Sequence, residues 1–300
     1  MIFVALSLLS FVFILIPGIA GTWQTALGLV FITIQSQLLG WKYWRYKNTW
    51  FRWLLGLLLF LSLIIIVGTI SFYTFNLSAT TLYFLPLVAP LALLIPSKLS
   101  KVTNQETEPR PSLKSNLSSY LLTAPYVVVA LVIFATLWHH QTMEPIQSPW
   151  LVLPKNIFVL YFIATCLVIA INRVSPTYKI VVNSLHLFIS FSVTLFIYPF
   201  GFGFDPFIHQ ATEKIISSTG TLSPKPYYYI GYYSLVLWLG RFLGLALTHV
   251  DRWLVPILAA LSLPTIIFQA FKDNFHNQSK AIQLLHLLFF TIPYSVLIQS

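Results

Sequence analysis

The chain consists of long apolar runs separated by short polar segments. Seven runs contain no Asp, Glu, Lys or Arg, and two more lie near residues 253–271 and 281–298. A membrane-spanning helix needs about 20 apolar residues. The pattern therefore predicts an all-α polytopic membrane protein with about nine transmembrane helices. The seven charge-free runs cover residues 2–21, 22–41, 54–73, 80–96, 118–138, 156–171 and 180–198.

The run 227–249 is ambiguous because Arg241 lies inside it. Basic residues accumulate in cytoplasmic loops. With a cytoplasmic N-terminus, the basic clusters at 42–52, 98–114 and 173–179 all fall on the inner side. Most of the 17 basic residues lie inside if 227–249 does not cross. We therefore expect that run to lie at, or dip into, the outer face.

Composition excludes several classes of protein. The 300 residues are 57% hydrophobic and only 8% charged, whereas a soluble domain carries about 25% charged residues. This composition excludes an ordinary soluble enzyme and a disordered protein. It also excludes a nucleic-acid binder, despite the net charge of +10. A lone cysteine, Cys166, can form neither an internal disulfide nor a cysteine zinc site.

The predicted spans divide the chain into two regions. Residues 1–179 form a six-span N-terminal region with a cytoplasmic loop at 97–117, and residues 180–300 form a second module with an outer loop at 199–229. No basic residue precedes Lys42, which favours a retained first span over a cleaved signal peptide. The aromatic segment 41–53 is typical of an interfacial belt. Its alternative interpretation is a specific contact with lipid phosphate.

The outer loop predicts one short amphipathic helix, over about 206–218. Asp205 is a good N-cap and Pro206 suits the first helical position. His209 and Glu213 lie four residues apart on one face, one turn beyond Asp205. The alternatives are that Asp205 only caps the helix and that His209 and Glu213 form its water-exposed face. The apolar side of the helix carries Phe207, Ala211 and Ile215.

Three cations follow this helix: Lys225, Arg241 and Arg252. A charge inside an apolar run is costly, so Arg241 needs a polar partner or a wet cavity. The alternative is that its side chain extends to the outer surface.

The segment GFDPFIHQATEKIISSTG resembles the first outer loop of GT-C-type membrane glycosyltransferases, and most closely that of oligosaccharyltransferase catalytic subunits. The next stretch, PKPYYYIGYYSLVLWLGRFLGLALTHVDRWLVPILAAL, resembles the Pro-Tyr-Tyr helix and the Arg-containing entry to the next span in that superfamily. The resemblance covers about residues 180–271. It departs from the family in two ways, because about six spans precede the acidic loop and the sequence stops at Ser300. The second module is therefore expected to be an incomplete GT-C-like unit.

The resemblance implies an integral membrane enzyme that transfers a sugar from a polyprenyl-phosphate-linked donor to an acceptor at the outer face. Asp205 would act as general base or hold a divalent cation, Mg²⁺ or Mn²⁺. His209 and Glu213 would be further catalytic-site residues. The donor phosphate would contact Lys225, Arg241 and Arg252.

Two other functions are open at this point. The chain could be a transporter or lipid flippase, although the seven charge-free runs argue against ion coupling. It could also be a non-catalytic membrane scaffold whose outer loop docks a partner.

Overall fold

The computed structural model describes residues 21–96, 117–174, 179–199, 201 and 205–275, together with Ala5, Ser7 and Leu8. This part of the chain contains ten α-helices and no strand, which confirms the all-α prediction. Short 3₁₀ turns occur at Leu85–Leu87 and Pro149–Leu151. The α-helices are α1 Thr22–Trp44, α2 Thr49–Thr74, α3 Ala79–Phe84, α4 Val88–Leu94, α5 Leu117–His139, α6 Asn156–Val174, α7 Lys179–Ile197, α8 Asp205–Thr219, α9 Ile230–Leu243 and α10 Leu247–Phe275.

Five of the described helices, α2, α5, α6, α7 and α10, are long and apolar enough to cross a membrane. The chain is therefore an integral membrane protein, and nine crossings remain a prediction. The predicted span 80–96 is interrupted, because a 3₁₀ turn containing Pro86 separates α3 from α4. Three predicted segments lie outside the described residues: the span 2–21 apart from Ala5, Ser7, Leu8 and Gly21, the span 281–298, and the loop 97–117 up to the start of α5.

The chain folds into two compact units that alternate along the sequence. The first combines residues 1–105 with 204–254, and the second combines 106–203 with 255–300. The predicted outer loop and the ambiguous run 227–249 thus belong to the same unit as α1 and α2.

A tight hairpin of α1 and α2 organises the first unit. Asn48 caps α2, since its side-chain oxygen accepts a hydrogen bond from the Phe51 amide at 2.8 Å. Gly56 allows the two backbones to touch. A methyl group there would lie 2.7 Å from the Gly40 nitrogen and closer still to the Ser36 carbonyl oxygen. We call the end where α1 begins and α2 terminates the upper end of the hairpin.

Helix α9 packs across this hairpin through aromatic side chains. Trp238 is fully buried and stacks on Phe242 with ring centroids 5.0 Å apart. It also meets Phe60 of α2 edge-on at 5.5 Å, and Phe242 lies 5.2 Å from Phe31 of α1. Aromatic pairs at these distances stabilise packing beyond simple burial of area. α9 is thus integrated into the hairpin core.

Both ends of α9 lie at the upper end of the hairpin. Before its first turn, the Lys225 ammonium donates to the Phe72 carbonyl, in the last turn of α2. At its last turn, the Arg241 carbonyl accepts from Gln24 at 2.9 Å and the Leu243 carbonyl accepts from Thr25 at 2.7 Å, both at the start of α1. At 14 residues α9 is also too short to span a bilayer. Both ends of α9 therefore contact the same end of the hairpin, and the expectation that the run 227–249 does not cross the membrane remains a prediction.

This path predicts the labelling of a cysteine at position 276. In a Cys166→Ser background, we expect His276→Cys to react with a membrane-impermeant maleimide only from the predicted cytoplasmic side, because α10 is then the sole crossing after α8. Asn76→Cys, at an exposed residue in the turn after α2, is the matched control and should react from the outside. Outside labelling of position 276 in intact cells would mean that α9 crosses the membrane.

The second unit contains α5, α6 and α7 with the later part of α10. Polar side chains join α6 to α7 inside this apolar bundle. Asn172 and Asn183 exchange two hydrogen bonds of 2.8 and 3.1 Å, and Thr165 contacts His186 at 3.0 Å. Such bonds hold neighbouring membrane helices together. We interpret His186 as part of helix packing.

Candidate acid–base site

The helix α8, in the predicted outer loop, is fixed against the upper end of the hairpin. It begins at Asp205 and ends at Thr219, which confirms the predicted helix. Its end is held by the Leu77 amide, which donates to the Gly220 carbonyl at 2.7 Å. Gly220 has a positive φ of 74°, a conformation that glycine adopts without strain. This turn places α8 beside α9.

The face of α8 that carries Glu213 points into the protein. Glu213 and Ile216 are fully buried and His209 is half-buried, whereas Phe207 and Ile215 are each 46% exposed. The alternative that Glu213 lies on a water-exposed face is therefore wrong. The helix is amphipathic as predicted, but its apolar side faces away from the unit.

Glu213 is a buried carboxyl group whose oxygens have no hydrogen-bond donor nearby among the described residues. Neither of its oxygens accepts a hydrogen bond from any residue that the structure describes. Burial, reinforced by the nearby Asp251 carboxyl, raises the pKa of Glu213 to about 9. The side chain therefore keeps its proton at neutral pH. In that form it can donate a hydrogen bond to Asp251.

Asp251, in the first turns of α10, is the centre of this arrangement. It is partly exposed, and Tyr232 donates a hydrogen bond to its Oδ1 at 2.6 Å. The same hydroxyl lies 3.2 Å from the Asp251 carbonyl oxygen. Protonated Glu213 lies close enough to affect the same carboxyl group. A hydrogen-bond donor from α9 and a buried acid from α8 thus meet one carboxylate from α10.

A second polar contact adjoins Glu213 and Asp251, which we call the acid pair. The Tyr233 hydroxyl lies 2.8 Å from Nδ1 of His209. The His209 ring meets Tyr229 edge-on at 4.8 Å. Tyr229 itself has a positive φ of 67°, which turns the chain from the loop into α9. This turn presents Tyr229, Tyr232 and Tyr233 to α8.

Asp205 lies apart from this cluster. It is exposed at the first residue of α8, about 12 Å along the helix axis from Glu213. Among the residues that the structure describes, no three His, Cys, Asp or Glu side chains are grouped as metal ligands would be. The residues present do not form the oxygen-rich cage that Mg²⁺ or Mn²⁺ requires, so we derive no step through a metal.

Lys225 and Arg241 have structural contacts of their own. The Lys225 ammonium donates to the carbonyls of Phe72 and Tyr73 at 3.2 and 3.1 Å. These carbonyls lie at the C-terminal end of α2, where a cation interacts favourably with the helix dipole. Arg241 is exposed in the last turn of α9, and its guanidinium lies 5.5 Å from the centre of the Tyr83 ring. Its position near the upper end explains how a charge is accommodated within an apolar run.

Arg252 is the predicted cation that lies nearest to the acid pair in sequence, directly after Asp251. It is half-buried, and its guanidinium lies 5.0 Å from the centre of the Trp253 ring. The structure thus brings Glu213, His209 and the segment of Arg252 to one region. It places Asp205, Lys225 and Arg241 elsewhere on the same unit.

Sequence reasoning missed Asp251, Tyr232 and Tyr233 as site residues. One signal was available, since the chain has only seven acids and two of them meet here. Buried pairs of carboxyls with different environments are typical of acid–base sites, because one group keeps its proton while the other stays ionised. The arrangement can accept a proton at the partly exposed Asp251, while Glu213 is fully buried beside it.

Comparisons with known proteins add no relative to this description. No family model, no curated protein and no solved structure matches the chain.

Proposed function

We propose that the chain is a membrane glycosyltransferase, or part of one, that uses a sugar carried on a polyprenyl phosphate. The observation that carries this proposal is the partly exposed Asp251 carboxylate, which accepts a hydrogen bond from Tyr232 and lies beside the buried, protonated Glu213. A transferase needs a base at the membrane surface, where a lipid-borne donor and a polar acceptor meet. The acid pair supplies that base.

In the proposed reaction, Asp251 removes the proton from an acceptor hydroxyl. The acceptor oxygen attacks the anomeric carbon, and the bond between that carbon and the phosphate oxygen breaks. The electron pair leaves with the phosphate. Arg252, next to Asp251, offsets the charge that develops there. Glu213 is a positioning residue, since it acts through Asp251 and is itself fully buried.

The test is a transfer assay with the intact chain in liposomes. A panel of tritiated undecaprenyl-phosphate hexoses serves as donor, and a membrane extract supplies acceptors. We expect label to leave the lipid-phosphate fraction and enter a new product. Glu144→Gln, at an exposed acid of the second unit, should leave transfer unchanged. Intact donor that merely changes leaflet would instead indicate a lipid flippase, and label that stays unmoved would contradict both functions.

A further inference from the structure

The outward face of α8 is apolar and has no protein partner among the described residues. Phe207, Ile208 and Ile215 are 46%, 47% and 46% exposed, and Ala211 lies between them on the same side. In a water-soluble loop this face would be costly, and contiguous exposed apolar surface marks an interaction site. The helix is only 15 residues long, so it is too short to span a bilayer.

The position of α8 shows what lies next to this face. The Leu77–Gly220 hydrogen bond joins the end of α8 to the turn just after α2, which is long and apolar enough to cross the membrane. The contact of Lys225 with Tyr73 fixes the following loop at the same level. α8 is therefore held where a membrane-spanning helix ends, at the boundary between lipid and water.

Exposed aromatic side chains surround α8 at this level. Phe75 is 79% exposed, Tyr227 95% and Tyr228 71%, and Trp23 at the start of α1 is also exposed. Aromatic residues at the ends of membrane helices lie at headgroup depth. The upper end of the first unit thus has the composition of a membrane interface.

From these observations we propose that α8 is an interfacial helix whose Phe207–Ile208–Ala211–Ile215 face is buried in the lipid of the adjacent leaflet. The inferred partner is phospholipid, at the boundary between headgroups and acyl chains. Lys214 is exposed at the edge of this face, where its long side chain reaches the headgroups, and Ser217 is exposed on the polar side of the helix. This inference does not depend on the reaction that the acid pair catalyses.

This placement explains why the polar face of α8 packs against the protein while its apolar face is exposed. In a soluble protein the apolar face of a surface helix packs on the core. Here lipid can cover that face, so the protein side of α8 is free to carry His209 and Glu213. The burial of Glu213 and the exposure of Phe207 are then two results of one orientation.

Site-directed fluorescence quenching tests the proposal. Single cysteines at Phe207, Ile215 and Ser217 in the full-length Cys166→Ser chain are labelled with an NBD fluorophore. The protein is placed in phosphatidylcholine nanodiscs at one chain per disc, which removes any second copy. Quenching is measured with 5-doxyl and 12-doxyl phosphatidylcholine and with aqueous iodide. Ser217 is the matched control, because it is exposed on the polar side of the same helix.

We expect 5-doxyl lipid to quench most of the emission at positions 207 and 215, with iodide having little effect, and the reverse at 217. Equal quenching by iodide at all three positions would overturn the proposal. Protection of 207 and 215 from every quencher would also overturn it, because protein would then cover the face. Stronger quenching by 12-doxyl than by 5-doxyl lipid would place the helix too deep for an interfacial segment.

Discussion

Replacing Asp251 by asparagine is expected to lower the rate of sugar transfer by about 10²–10⁴-fold, the usual contribution of a positioned general base. The amide keeps an oxygen that accepts the Tyr232 hydrogen bond, so the local structure is retained. It cannot remove a proton from the acceptor. The rate is measured with the tritiated lipid-phosphate hexoses at saturating donor.

Glu213→Gln should behave differently and thereby separates positioning from proton removal. Its amide is neutral, like the protonated acid, and fills the same buried volume, so we expect most of the rate to remain at neutral pH. The pH profile should change instead. In the unmodified chain the rate should fall as the pH rises through about 9, because Glu213 then loses its proton and a second negative charge faces Asp251. The variant should lack this alkaline decrease.

Two controls make the result specific. Glu144→Gln changes an exposed acid of the other unit and should keep both the rate and its pH profile. Asp205→Asn tests the role that the GT-C resemblance implies for that residue. A full rate in Asp251→Asn together with a large loss in Asp205→Asn would move the base from α10 to the start of α8.

The second large effect concerns the α1–α2 hairpin. Gly56→Ala should lower the free energy of unfolding by about 1–3 kcal/mol, and Gly56→Val by more, because the added atoms meet backbone rather than a flexible side chain. The Gly40 nitrogen and the Ser36 carbonyl cannot move without separating the helices. The measurement is the thermal unfolding midpoint of the purified chain in detergent, followed by size-exclusion chromatography.

Ile66→Ala is the control for this experiment. It lies in the same helix, 55% exposed, where lipid or detergent replaces the lost contacts. Its unfolding midpoint should change little. A Gly56→Val chain that unfolds at the same temperature as Ile66→Ala would show that the two backbones are not in contact at this point.

The helices were largely predictable from sequence, whereas the site was not. Apolar runs of about 20 residues fold as helices because lipid leaves no other partner for backbone polar groups. Asp205 marked the start of α8 because capping is a local effect. The direction in which α8 faces is not local. For a helix in water, the pattern that places Phe207 and Glu213 on opposite sides predicts that the apolar side packs against the protein. In the proposed position at the membrane boundary, the apolar side faces lipid instead.

The pairing of Glu213 with Asp251 depends on long-range structure. Between these two residues lies α9, whose path could not be decided from an apolar run containing Arg241. Tyr232, in the first turn of α9, reaches Asp251, in the first turns of α10, only in the folded unit. A predictor that treats each apolar run as a complete crossing would place the two acids on opposite sides of the membrane.

The shape of α9 also has a consequence for biogenesis. A 14-residue segment with a terminal arginine is a poor substrate for insertion by the translocon, yet its Trp238 is fully buried against α1 and α2. These two helices emerge from the ribosome much earlier and can enter the bilayer together as a hairpin. α9 then has a finished surface on which to pack. The order of synthesis thus allows α9 to join a hairpin that has already formed.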